Sequence, residues 1–151
     1  MFDIVVLMSS GESVLLALQR ATHVTLHALS HELAGLGLTA AEINALANLA
    51  GGRARTVSEL GSATGTRPTT LTSVLDRLER RGHITRGRRP GDRRAVLIEL
   101  TDPGRQAAAT IRQTLASLEQ RAFADLPADA MPGFHAVLHA LMEVSHDHRA
   151  L

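Results

Sequence analysis

The chain has 151 residues, 44% of them apolar, enough for one compact domain with a dimerisation extension and too apolar for a wholly disordered protein. Cysteine is absent, which excludes disulfide scaffolds, thiolate metal sites, cysteine nucleophiles and cysteine-based redox sensing. Phe2, Phe123 and Phe134 are the only aromatics, too few for a single-strand stacking platform, and the net charge of +1 excludes a uniformly basic or acidic chain.

Taken in chain order, residues 9–36 read as one long helix. Ser9 and Glu12 have capping-box spacing. Leu15, Leu18, Thr22, Leu26, Leu29 and Leu33 form a narrow stripe that Gly35 and Gly37 end. Thr39 and Glu42 form a second capping pair, opening a helix through Ile43, Leu46, Leu49 and Ala50 that stops at Gly51-Gly52. Thr56 and Glu59 form a third, starting a two-turn helix with Val57 and Leu60 inward and a stop at Gly65. Thr66 then caps a helix over 66–81 with Arg67 and Pro68 in its first turn. Leu71, Val74, Leu75 and Leu78 face inward there, and Gly82 closes it.

After Gly82 the period shortens. Ile84, then Ala95, Leu97 and Glu99, mark strands on either side of Arg89-Pro90-Gly91-Asp92, a type II turn at a hairpin tip. Thr101 caps another long helix, with Pro103 in its first turn and a stripe of Ile111, Leu115, Leu118 and Ala122. Leu126-Pro127 breaks it, and a last helix starts near Asp129 and carries Phe134, Leu138, Leu141 and Met142. The terminal helices have narrow apolar stripes and cannot bury both sides alone, so packing against a second copy is expected.

The charge is segregated. All sixteen basic residues are arginine, and eleven lie between Arg53 and Arg94 against four acids, a local net charge of +7. The remainder carries −6. A basic centre between acidic ends is a footprint for a polyanion. Within it, residues 56–82 have helix-turn-helix spacing with Arg67, Thr69, Thr70, Thr72, Ser73, Asp76 and Arg77 outward. Short hydroxyl side chains near a helix start suit close entry into a major groove. The arginine-rich hairpin that follows makes the unit a winged helix, whose wing can enter a minor groove.

The run 77–105 contains Arg77-Leu78-Glu79, Gly82, Arg86, Asp92-x-Arg94, an apolar strand from Val96 to Leu100, and Leu100-Thr101-Asp102-Pro103-Gly104-Arg105. It closely resembles the MarR family of bacterial winged-helix transcription regulators, and Leu38-Thr39 with Leu46 and Leu49 resembles that family's second helix. The resemblance implies a mainly α fold with a small antiparallel β-wing, a winged helix-turn-helix over 37–101, and a helical dimerisation lobe from 1–36 and 102–151. It implies a homodimer, a repressor by expectation, that reads a pseudo-palindromic double-stranded DNA operator through helix 66–81. Arg67, Pro68, Thr69, Thr70, Thr72, Ser73 and Arg77 are the expected reading residues. Arg86, Arg88, Arg89, Asp92, Arg93 and Arg94 are the expected wing and phosphate residues, with Asp92 orienting Arg94. A small-molecule effector between the lobes belongs to the same picture. Peroxide-sensing members use a cysteine that this chain lacks.

Eight histidines are numerous. His23, His27 and His31 recur every four residues beside the first leucine stripe, and His135 and His139 repeat the spacing near the C-terminus. They are candidates for effector binding or pH sensing, against the plainer reading of surface or interface histidines, and no metal is assigned to them. His31-Glu32 begins like a zinc-protease motif, but position 35 is glycine. The serine in Gly61-Ser62-Ala63-Thr64-Gly65 stands one place too early for a nucleophile elbow. The expectation is a cytoplasmic, non-membrane, non-enzymatic protein without a cofactor. The alternatives are a non-specific architectural DNA-binding protein or a histidine-rich metal-binding dimer.

Overall fold

The computed structural model describes residues 13–89 and 91–147, with the side chains of residues 89, 92–94 and 145–147 outside the description. The chain divides into two compact units, Met1–Ala116 and Ser117–Leu151.

The first helix, α1, is Val14–Glu32. It is shorter than the sequence suggested, because Ser13 is an extended N-cap. The Ser9–Glu12 pair lies outside the described residues. A 3-10 turn, Ala34–Leu36, follows and ends on Gly37 at φ 61°, a left-handed conformation that favours glycine. Only the C-terminal end of the α1 stripe is covered: Leu29 and Leu33 are buried, whereas Leu15 and Leu26 are exposed.

Helices α2, Ala40–Leu49, and α3, Val57–Thr64, both open with complete capping boxes, Thr39/Glu42 and Thr56/Glu59. Each pair satisfies otherwise unpaired amides at a helix start. Helix α4 is Pro68–Arg80, not 66–81, and its N-cap is Arg67 rather than Thr66. Proline at the first helical position disfavours helical geometry in the residue before it. Arg67 accordingly sits at φ −62°, ψ 145°, and the Thr66 amide is taken by the turn after α3, donating to the Gly61 carbonyl at 3.3 Å.

Three antiparallel strands follow the order β1-β3-β2, with β1 Arg55–Thr56, β2 Ile84–Arg89 and β3 Asp92–Leu100. The sequence gives no hint of β1, which pairs Arg55 with Ile98 and Thr56 with Leu97. The alternation in β3 also differs from expectation. Ile98 is fully buried and Leu97 only half-buried, because neighbouring strand residues point to opposite faces and Ile98, through its partner Arg86, shares the face of the buried Ile84. The core of this unit is Leu46, Leu49, Leu60, Leu71, Val74, Leu75, Leu78, Ile84, Ile98 and Ile111.

Thr101 caps α5, Asp102–Phe123, by accepting from the Gly104 amide at 3.1 Å. Its hydroxyl also donates to the Gly82 carbonyl at 2.5 Å, and its amide to the His83 carbonyl at 3.1 Å. The first turn of α5 is thus tied to the end of α4, so tightly that a Cβ at Gly104 would lie 1.8 Å from the His83 oxygen. In the second unit, α6 is Ala130–Asp147, with Phe134, Val137, Met142 and Val144 exposed. Among the described residues no helix is long and apolar enough to cross a membrane.

Candidate nucleic-acid interface

Helix α4 presents the expected polar face. Leu71, Val74, Leu75 and Leu78 are buried on one side, which turns Thr69, Thr72, Ser73, Asp76 and Arg80 outward at about 100° per residue. Arg67, Pro68, Thr69, Thr70, Thr72 and Ser73 are all exposed. Thr72 donates to the Pro68 carbonyl at 3.0 Å and Ser73 to the Thr69 carbonyl at 3.2 Å, which keeps both hydroxyls short and close to the helix surface. Sequence reasoning missed Arg80, one turn beyond Asp76 on this face. Its Nε donates to the Asp76 carbonyl at 3.3 Å, and the signal was its spacing of seven from Ser73.

Two expected DNA residues are engaged within the fold. Arg77 lies on the flank of α4 and donates from Nε to Glu42 Oε1 at 2.9 Å. Glu42 is buried, and its Oε2 accepts from the Thr39 amide at 2.8 Å. Burial alone would raise the Glu42 carboxyl, but the Thr39 amide, the Arg77 guanidinium and the Thr39 hydroxyl together hold it below its ordinary value. Arg81, absent from the expected set, donates to the Gly37 carbonyl at 2.7 Å and the Leu36 carbonyl at 3.1 Å. It also lies 3.7 Å from Glu42 Oε2.

Arg86 alternates with Ile84 and stands opposite the buried Ile98, so it shares the sheet face turned toward α4. Its Nη2 donates to Asp76 Oδ1 at 2.5 Å and its Nε lies 3.4 Å from Glu79 Oε2. The period of two from Ile84 is the signal that could have placed it there. Arg88 is exposed. Gly91, at φ 84°, supports the tight turn. Pro90, and the side chains of Arg89, Asp92, Arg93 and Arg94 with the expected Asp92–Arg94 pairing, lie outside the described residues.

His23, His27 and His31 are exposed along α1, and His135 and His139 along α6. His139 Nδ1 lies 3.5 Å from Glu143 Oε1. Among the described residues no three histidine, aspartate or glutamate side chains are grouped to hold a metal.

Comparison with known proteins matches residues 36–95 to the model of the MarR family. An organic hydroperoxide resistance transcriptional regulator of Bacillus subtilis (strain 168) is 34% identical over 94 residues, covering 60% of each protein. The chain therefore matches about 60% of that curated relative's length. A probable transcriptional regulator from Pseudomonas aeruginosa superposes with a TM-score of 0.70 at 26% identity, over 86% of this chain and 97% of that one. Overoxidized AbfR, solved bound to DNA, shares the fold with a TM-score of 0.67 at 23% identity, over 87% of this chain and 91% of its own. Helix-turn-helix, wing and relatives point the same way: residues 36–95 are similar to the MarR family, and the chain shares the winged helix-turn-helix fold of transcription regulators in that family.

Proposed function

We propose that the chain is a sequence-specific regulator that binds double-stranded DNA as a homodimer, without catalytic activity. The observation that carries this reading is the outer face of α4, where Thr69, Thr72 and Ser73 are exposed opposite four buried aliphatic residues, with Arg67 and Thr70 exposed beside them. The N-terminal half of such a helix enters a major groove with its short side chains against base edges. The wing arginines supply phosphate and minor-groove contacts, Arg88 and Arg94 among them, with Asp92 orienting Arg94. The DNA-bound AbfR structure has the same fold and supports this assignment by analogy.

The dimer rests on a second observation. Leu15, Leu16, Val24 and Leu26 on α1, and Phe134, Val137, Met142 and Val144 on α6, are exposed on a single chain. Apolar helix faces of this extent are covered in stable proteins. A second copy bringing a second α4 would read the other half of a pseudo-palindrome. Residues 1–36 and 102–151 form the dimer lobe in this reading and 37–101 the DNA-binding lobe. Regulation is repression relieved by a small-molecule effector, for which the histidine strips are candidate contacts.

Selection of duplexes from a random pool, followed by titration at fixed salt, tests the proposal. The expected result is an enriched inverted repeat bound at least ~10³-fold more tightly than scrambled duplex. Equal affinity for both would mark an architectural binder instead.

A further inference from the structure

Helix α4 is held in place by a buried carboxylate on another helix. Among the described residues, Glu42 is one of two capping-box glutamates, and the other, Glu59, is exposed. Capping requires one carboxylate oxygen. In Glu42, Oε2 performs it with the Thr39 amide at 2.8 Å, and Oε1 is turned to Arg77 of α4 at 2.9 Å. The Glu42 side chain is only 2% exposed, against 41% for Arg77, so the acid cannot replace its partner with water while the arginine can. A buried charge stripped of its partner is strongly destabilising, and a hydrogen bond tolerates only a few tenths of an ångström. One turn further on, Arg81 binds the carbonyls of Leu36 and Gly37, where the turn after α1 ends. The two arginines fix rotation about the α4 axis and the height of its C-terminal end, leaving its N-terminal polar face free.

We infer that Glu42, Arg77 and Arg81 are positioning residues for DNA reading: Arg77 acts through Glu42 rather than on the DNA, and sets the angle at which Thr69 and Ser73 meet the groove. The inference rests on the DNA-binding function proposed above.

Full-length wild type and the E42A, R77A and E42A/R77A variants are compared on the duplex that wild type enriches from a random pool and on its scrambled counterpart. Each single variant is expected to lose about tenfold affinity on the enriched duplex and much less on the scrambled one. The double variant is expected to match the singles, with an unchanged salt slope. E42Q, which keeps one oxygen acceptor, is expected to fall between wild type and E42A. Equal loss on both duplexes with the slope of R77A reduced by about one would make Arg77 a phosphate contact and overturn the inference. So would additive losses.

A DNA-free arm separates this from failure of the DNA-binding reading. Amide exchange over residues 68–80 is expected to quicken in E42A and R77A while that of α5 is unchanged. Undiminished protection would overturn the inference whether or not any duplex is enriched.

Discussion

Arg86 of β2 and Asp76 of α4 are joined at 2.5 Å, across the junction between the wing and α4. With Asp76 51% exposed and Arg86 26% exposed, solvent screens the pair, and its worth is within ~1 kcal/mol. Its larger effect is on charge, because an acid on the outer face of α4 neutralises an arginine that Glu79 also approaches. Asp76→Asn is expected to change unfolding free energy by less than ~1 kcal/mol. It should strengthen binding to scrambled duplex and steepen the salt dependence by about one phosphate contact. Anisotropy titrations across salt concentrations measure both, and weaker binding at every salt would show that Asp76 contacts the DNA favourably.

Glu42 makes stability depend on acid. Its carboxyl is held below the ordinary 4.5 in the folded chain, so the native state binds that proton less readily than the unfolded one. The stabilisation is present above about 4.5 and is lost as pH falls through the lower folded value. Urea unfolding from pH 7 to pH 3 is expected to show a steeper acid decline for wild type than for Glu42→Gln. Parallel curves would remove Glu42 from the acid response.

Gly104→Ala places a methyl where the His83 carbonyl already stands, 1.8 Å from the new Cβ. Backbone on both sides must move, so the cost is expected at or above the ~3 kcal/mol end of overpacking effects. A fall in thermal midpoint checks it. The same substitution at Gly133, with nothing within 4 Å, is the control and should not lower the midpoint.

Core and proposed dimer face are separable by concentration. Leu60→Ala, at a fully buried position, is expected to cost ~2–5 kcal/mol at any protein concentration. Val144→Glu, at a position 66% exposed on one chain, is expected to shift sedimentation from twice the chain mass toward the chain mass. Unchanged sedimentation at dilute concentration would place the dimer contact elsewhere.

Local signals in the sequence carried most of the fold. The pairs Thr39/Glu42 and Thr56/Glu59 are legible because a capping box is complete within four residues, and Gly65 and Gly82 mark helix ends for a backbone reason of their own. The Thr66 reading fails for an equally local reason, since Pro68 overrides the better capping side chain by constraining Arg67. What was not legible is non-local. β1 is two residues long and exists only through pairing with β3, 41 or more residues away. Glu42 and Arg77 are 35 residues apart, and nothing in either neighbourhood announces their contact. The outward hydroxyls of α4 were readable from period alone, whereas Arg77 and Arg86 looked like DNA ligands because charge is visible in a sequence and partners are not.

The strand order leaves β2 as an open edge, with sequence ITRGRR. An uncovered edge offers unpaired backbone groups to any passing strand, and charged side chains along it discourage that pairing. Arg88, proposed above to face a polyanion, therefore has a second physical effect, discouraging the wing of one copy from zipping onto the wing of another. Alanine substitution along β2 would weaken DNA binding and invite aggregation together. Arg88→Glu separates them, because it reverses the attraction to phosphate while keeping a charged side chain on the edge.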